Sequence, residues 1–220
     1  MDKRLIIFSA LVIFTVSLGF LLFKSLEMEK SKPSSTPAAL TTQKAESVSE
    51  ADWVKGNKDS KVSLIEYSDL QCPACGAYYP VTKKLLTEFG ESIIFAYRHF
   101  PLRQIHFNSQ ISAQAAEAAG LQGKFWEMHD LLFERQEKWA EEKDPKALFK
   151  QYAQELGLDV EQFKGDLESE KVRNEVEGDF QSGLKSGVNA TPTFFLNGKK
   201  IQNPRTFEEF KSIIEKETGQ

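Results

Sequence analysis

Two cysteines, Cys72 and Cys75, are the only thiols in the 220 residues, and Pro73 and Ala74 separate them. They follow an apolar run at residues 62–67 and open a stretch with helical apolar spacing. Cys72 is therefore predicted at a helix start, where unpaired N–H groups and the helix dipole favour a thiolate. Pro73 suits the first helical position. Cys75 lies on the same helix face, within disulfide reach, so the pair predicts thiol–disulfide exchange.

Two other uses of a cysteine pair fit the sequence less well. A closed zinc site needs about four ligands, whereas there is no second cysteine pair and the three histidines, His99, His106 and His129, are scattered. An inert disulfide across so short a loop would add little stability. We therefore predict no metal and no cofactor other than the redox-active pair itself. His129 is interpreted as a core histidine.

Glu66 is an acidic residue inside the apolar run that precedes the cysteines. Strand alternation places it on the same face as Val62 and Leu64. It could be a carboxylate at a sheet edge or strand end that reaches water. It could also be a buried carboxyl group of raised pKa beneath the helix start, which shuttles the proton of Cys75. The strand pattern leaves both interpretations open.

The N-terminal region has the pattern of a membrane anchor. The uncharged run from Leu5 to Phe23 would span about 28 Å as a helix, close to the thickness of a bilayer core. Lys3 and Arg4 precede it, which favours a cytoplasmic N-terminus. The bulky end of the run favours an uncleaved anchor over a cleaved signal peptide. We predict an anchor over residues 1–30 and export of the remaining chain.

Residues 31–50 are predicted to be a disordered linker, because Ser, Thr, Ala, Pro and Lys dominate and no apolar period is present. Residues 51–220 suit one globular domain. That segment carries 22 Lys and Arg against 27 Asp and Glu, a net charge near −5. This balance disfavours binding to nucleic acid or tight docking on anionic lipid.

The apolar and turn patterns of the domain predict a mixed sheet with helices on its faces. The predicted elements are a strand at 62–67, a helix from 72 to 89, a strand within 91–99, a helical block at 107–186, a hairpin turning at 197–198, and a last helix from 206. Thr206 and Glu209 form a capping box at that last helix.

Four segments together resemble the DsbA-like branch of the thioredoxin superfamily, particularly its membrane-anchored or secreted bacterial thiol:disulfide oxidoreductases. They are residues 66–75, 98–102, 123–129 and 187–198. The resemblance covers residues 51–220. It implies an α/β thioredoxin fold with a helical insertion at about 104–187, and a redox-active pair of Cys72 and Cys75.

The resemblance also implies roles for residues around the pair. Thr191–Pro192 would be a cis peptide facing the disulfide, with the backbone of Thr191 binding an extended substrate. Glu66 matches the family's buried acid. Pro73 and Ala74 would support the cysteines. DsbA has a histidine where this chain has Ala74, which supplies no donor, so a less oxidising disulfide is expected.

The leading hypothesis is therefore an extracytoplasmic enzyme that introduces disulfide bonds into exported proteins. The resemblance implies a membrane partner of the DsbB or VKOR type that reoxidises it. The predicted location is a bacterial cell membrane, single-pass, with the domain on the extracytoplasmic side. A reductase or isomerase using the same cysteines is an alternative. A non-redox chaperone or a metal-binding module is another.

Overall fold

A computed structural model describes residues 44–219, which form a five-stranded sheet with helices on its faces. The strands are β1 (Trp53–Gly56), β2 (Ser63–Ser68), β3 (Ile94–His99), β4 (Thr193–Leu196) and β5 (Lys199–Lys200). Their spatial order is β1-β3-β2-β4-β5. β2 and β3 are parallel, and the other neighbours are antiparallel. The predicted strands are confirmed to within a few residues, whereas β1 was not predicted.

The helices account for most of the described residues. They are α1 (Pro73–Phe89), α2 (Ser109–Gly120), α3 (Phe125–Glu134), α4 (Gln136–Trp139), α5 (Lys146–Glu155), α6 (Val160–Leu167), α7 (Glu170–Lys185) and α8 (Phe207–Thr218). Helices α2 to α7 all lie between β3 and β4, which confirms the predicted helical insertion. The fold is thus a thioredoxin-like α/β fold with a helical insertion.

β2 is buried on both faces because it lies between β3 and β4 and is covered by helices. Leu64 packs into the larger core, together with α1 and the insertion. Ile65 and Tyr67 belong to a smaller core on the other side. The strand therefore carries its C-terminal end, and the α1 start that follows, into the interior of the molecule.

The insertion is fixed to the sheet through the alanine-rich helix α2. A Cβ at Gly120 would lie 2.4 Å from the ring of Trp53 in β1, so glycine permits this close approach. Trp53 also stacks on Phe125 of α3, with ring centroids 4.5 Å apart. Its indole N–H donates to Glu117 at 2.8 Å. These contacts explain how the edge strand β1 holds the insertion.

The C-terminal hairpin follows its predicted turn chemistry. Asn197 and Gly198 both have positive φ, 49° and 75°, as a tight hairpin turn between β4 and β5 requires. Thr206 caps α8 by accepting a hydrogen bond from the Glu209 N–H. The Glu209 carboxylate accepts from the backbone N–H of Arg205, one residue earlier than in a standard capping box.

The predicted linker ends earlier than expected, because residues 44–50 lie against the fold. Ala45 is buried, and its N–H donates to the Gly198 carbonyl at 2.9 Å. The Arg98 guanidinium donates to the carbonyls of Glu46 and Ser47. Backbone pairing and a single buried alanine order this segment. Neither produces an apolar period, which is why composition indicated a linker.

The predicted anchor at 1–30 and the linker at 31–43 lie outside the described residues. Within residues 44–219, no helix is both long enough and apolar enough to cross a membrane.

Candidate active site

The two cysteines lie at the N-terminus of α1, where they differ in access to solvent. Cys72 is the N-cap residue, with extended backbone angles, and Pro73 is the first helical residue. Cys72 is 6% exposed and Cys75 is fully buried, and both thiols are free. Ala74 is exposed. The helix start therefore presents Cys72 towards the surface and places Cys75 behind it.

The two thiols also differ in acidity. A hydrogen bond from the Cys75 thiol, helped by Thr191 and by backbone N–H groups, lowers the pKa of Cys72. Burial raises the pKa of Cys75 well above its ordinary value, and the neighbouring Cys72 and Glu66 raise it further. Cys72 is thus the thiolate and Cys75 the protonated partner, an asymmetry suited to disulfide exchange.

The loop before β4 brings the other predicted residues to Cys72. The Thr191–Pro192 bond is cis, as the resemblance implies. The Cys72 thiol lies 3.6 Å from the Thr191 carbonyl oxygen, although 119 residues separate them. Asn203 donates to the Pro192 carbonyl at 2.7 Å, and Thr193 donates to Ala190 at 2.8 Å. These bonds fix the loop opposite the cysteine pair.

Glu66 lies at the centre of β2 and is buried, so it is not a strand-end carboxylate reaching water. In register it stands between Tyr97 of β3 and Phe194 of β4. Burial raises its pKa to about 7, against a smaller opposing effect of nearby hydroxyl groups. Its negative charge also raises the pKa of Cys75 by electrostatic repulsion of the thiolate. A carboxyl group that is half protonated near neutral pH is suited to proton transfer.

A second buried acid, Asp69, was not singled out from the sequence. Its Oδ1 accepts from the Gln71 N–H at 2.8 Å. Its Oδ2 accepts from the Leu102 N–H at 2.9 Å and lies 2.7 Å from Nδ1 of His106. The Asp69 N–H points to the Cys75 sulfur at 3.5 Å. Asp69 therefore joins the turn before the cysteines to the loop after β3.

Two amide side chains, also unpredicted, tie the same turn to the insertion. Gln136 of α4 donates to the carbonyls of Leu70 and Cys72 at 2.6 and 3.1 Å. Gln71 donates to the Ala140 carbonyl and accepts from the Asn108 N–H, both at 2.6 Å. Amides carry no charge or period that sequence analysis would notice. Their common position near the cysteines emerges only in the fold.

Each of the three histidines contacts a different acidic residue. His99 is 3.2 Å from Glu117, His106 contacts Asp69, and His129 is 2.9 Å from Asp130. His129 is packed among aromatic rings, in agreement with its interpretation as a core histidine. Among residues 44–219, no three His, Cys, Asp or Glu side chains are grouped so that they could hold a metal ion.

A cysteine pair at a helix start after a central strand, facing a cis-proline loop, defines a thioredoxin-type redox protein. The family model for thioredoxins matches residues 48–216. The crystal structure of oxidised BdbD from Bacillus subtilis is similar, with TM-score 0.71 and 26% identity over 80% of this chain and 98% of that one. Wolbachia pipientis alpha-DsbA1 shares the fold, with TM-score 0.69 and 21% identity over 78% and 93%. The chain belongs to the thioredoxin family and has a DsbA-like fold.

Curated relatives include the sodium/proton antiporter NhaA 3 of Salinispora tropica. It is 37% identical over 74% of this chain, and the match covers 24% of the antiporter. The chain thus spans about a quarter of the length of these relatives. The predicted single-pass location in a bacterial cell membrane is corrected here. The antiporters match only over this short region, and no helix of residues 44–219 could cross a membrane, so that location is not retained.

Proposed function

We propose that this protein is a dithiol oxidase that introduces disulfide bonds into cysteine-containing exported proteins. The observation that carries the proposal is the contrast between Cys72, whose pKa is lowered, and Cys75, whose pKa is raised by burial. A stabilised Cys72 thiolate favours the reduced form of the pair. The oxidised pair therefore has a tendency to give its disulfide to a substrate.

The exchange proceeds in two successive thiolate attacks. A substrate thiolate attacks the Cys72 sulfur, the Cys72–Cys75 bond breaks, and Cys75 leaves with the electron pair. Glu66 supplies the proton that neutralises Cys75. A second thiolate of the substrate then attacks the substrate sulfur that is bonded to Cys72. This forms the substrate disulfide and releases Cys72 as a thiolate. The substrate is oxidised by two electrons, and the cysteine pair is reduced by two.

The surface beside Cys72 supports an extended, partly apolar substrate. The Thr191 backbone, next to the thiol, would pair with the substrate main chain. A depression of about 930 Å³ lies alongside, lined by Pro73 and His106 among others. Ile105 and Phe107 at this depression are 70% and 59% exposed. They are therefore available to contact apolar side chains of an unfolded substrate.

The proposed redox centre is the Cys72–Cys75 disulfide itself, with no added cofactor. A partner of the DsbB or VKOR type, linked to quinone, is proposed to restore it after each exchange. The reductase alternative draws support from Ala74, whose side chain is exposed and offers no hydrogen-bond donor to the Cys72 thiolate.

The reduction potential of the full chain tests the proposal, measured by equilibration in glutathione buffers. A value near about −120 mV, like that of strong oxidases, supports the oxidase function. A value near about −270 mV, like that of thioredoxin, would overturn it in favour of a reductase. As a second test, Cys75→Ser should trap a substrate as a mixed disulfide at Cys72, and Cys72→Ser should trap none. Equal binding by both variants would indicate a non-redox binding module.

A further inference from the structure

The loop after β3 places a histidine–aspartate pair beside the cysteines. Nδ1 of His106 lies 2.7 Å from Oδ2 of Asp69. The Asp69 side chain is fully buried, whereas that of His106 is 16% exposed. The part of the ring that reaches solvent is therefore the part away from Asp69, where Nε2 lies. Within residues 44–219, Nε2 has no hydrogen-bond partner.

The His106 ring borders the depression beside the active site. His106 and Pro73, the residue that follows Cys72, both line this depression. The backbone carbonyl of Asp69 also accepts from the Cys72 N–H at 3.0 Å. Asp69 thus contacts the histidine through its side chain and the cysteine that substrate attacks through its backbone.

The backbone of His106 is held on both sides. Its N–H donates to the Leu102 carbonyl at 2.9 Å. Its carbonyl accepts from the N–H and the hydroxyl of Ser109, at 3.1 and 2.7 Å. Asn108, two residues further on, donates from its N–H to the Gln71 side chain. The ring is therefore positioned before a substrate arrives, as proton transfer in a reaction requires.

The Asp69 carboxylate determines which nitrogen of His106 carries hydrogen. A carboxylate only accepts hydrogen bonds, so Nδ1 carries the hydrogen in this contact. In the neutral ring Nε2 is then the acceptor, and it lies on the side open to the depression. Histidine gains and loses protons readily near neutral pH. His106 is thus equipped to take a proton from a group that binds in the depression.

An incoming substrate thiol needs such a base. A cysteine thiol has a pKa of about 8.5, so only about 3% of it is thiolate at pH 7. Only the thiolate attacks a disulfide. Cys72 and Cys75 are bonded to each other at that moment, and Glu66 is buried and serves Cys75. The proton of the substrate thiol therefore requires a different acceptor.

We propose that His106, oriented by Asp69, is the general base that takes the proton of the substrate thiol as it attacks Cys72. The inference rests on the proposed function, since it adds the proton acceptor for the incoming thiol. The substrate S–H bond breaks towards Nε2, and the substrate sulfur bonds to the Cys72 sulfur. Cys75 leaves with the electron pair of the broken disulfide. The protonated ring then releases its proton to water in the depression. His106 is a catalytic residue in this step, and Asp69 is a positioning residue.

Charged side chains at the end of α3 and in or after α4 also line the depression, and they would enter a pH profile. They are Glu134, Arg135, Glu137, Lys138 and Glu141. Glu134 is paired with Lys83, and Arg135 with Glu155. The test is therefore made at one pH, with thiols of different acidity.

The rate at which two monothiols form a mixed disulfide with the oxidised full chain at pH 7 tests the proposal. Acid quenching and mass spectrometry follow the product. An end-blocked cysteine peptide is mostly protonated, whereas the aryl thiol 4-nitrothiophenol is already thiolate. His106→Asn keeps an amide donor for Asp69 but cannot take up a proton. It should slow the peptide at least fivefold, up to a limit of about thirtyfold set by the thiolate fraction. It should slow the aryl thiol less than twofold.

Arg103→Gln is the matched control, because Arg103 lies in the same loop, bonds to Gln110 and Glu177, and does not line the depression. It should react with both thiols at wild-type rates. His106→Gln, which has a longer amide side chain, serves if His106→Asn does not fold. A wild-type rate with the peptide, or equal slowing of both thiols, would overturn the role of His106 as a base. A wild type that reacts with neither thiol would instead overturn the proposed function.

Discussion

Glu66 and Asp69 are two buried acids three residues apart on the same strand and turn, and their surroundings are opposite. Asp69 receives two backbone N–H groups and the His106 ring. Glu66 has only the hydroxyls of Ser68 and Thr82 to favour its charged form, and it lines a cavity. Because its hydrogen bonds are satisfied, Asp69 holds the turn before the cysteines and the loop after β3 together. Incomplete solvation leaves the Glu66 proton available for transfer.

The comparison teaches that burial alone does not decide what an acidic residue does. A carboxylate whose oxygens accept from several N–H donors organises the backbone around it. A carboxyl group without them has its pKa raised and becomes an acid or base near neutral pH. Here both kinds act on Cys75, Asp69 through its backbone N–H and Glu66 through its charge.

The largest expected effect comes from Asp69→Ala, which leaves the Leu102 and Gln71 N–H groups and the His106 ring without their acceptor. Unfolding free energy, measured by urea titration, should fall by about 4 kcal/mol, since each buried unpaired donor costs about 1–3 kcal/mol. Asp59→Ala is the control, because Asp59 is exposed and should change stability by less than about 0.5 kcal/mol. Equal effects of the two variants would contradict the assigned role of Asp69.

Glu66 should make stability depend on pH in the opposite sense to most acids. Its folded pKa of about 7 exceeds its ordinary value of 4.5, so its stabilising contribution is complete below pH 4.5 and is lost as pH rises through about 7. The shift corresponds to about 3 kcal/mol. The unfolding free energy of Glu66→Gln minus that of wild type should therefore increase by about 3 kcal/mol as the pH is raised from about 4 to about 8.

Asp179 must be separated from that measurement, because burial raises its pKa to about 7 as well. It is present in both proteins, so the difference between wild type and Glu66→Gln cancels it. A difference that does not change with pH would show that Glu66 is not the carboxyl group described here.

The smallest effect is expected for His106→Ala. The Asp69 carboxylate keeps its two backbone donors, so the loss in unfolding free energy should be about 1 kcal/mol, the worth of one hydrogen bond. His129→Ala, which also removes an imidazole beside an acid but opens a void among aromatic rings, is the comparison and should destabilise more. A larger loss for His106→Ala would mean that the ring, and not the backbone donors, holds the loop.

Local signals predicted much of the fold. The central strand, the helix after the cysteines and most of the insertion helices have an apolar period or a cap, such as Asp159 and Ser169 at the starts of α6 and α7. The four-residue helix α4 has neither. The tight turn at Asn197 and Gly198 depends on two adjacent residues. The edge strand β1 has only four residues. Its Trp53 packs against Phe125, which is distant in the chain, so the local sequence pattern did not predict this strand.

The sequence by itself determined the chemistry, because a cysteine pair at a helix start needs only neighbouring residues to acquire its position and dipole. The sequence identified Glu66 as a candidate, but it did not decide whether this side chain is buried or reaches water. The tertiary structure decided what each group can do: it set Thr191 against Cys72, gave Asp69 its donors from residues 71, 102 and 106, and opened a cavity onto Glu66. Solvation and hydrogen bonding are sums over residues distant in the chain, and these sums set the acidity of each group.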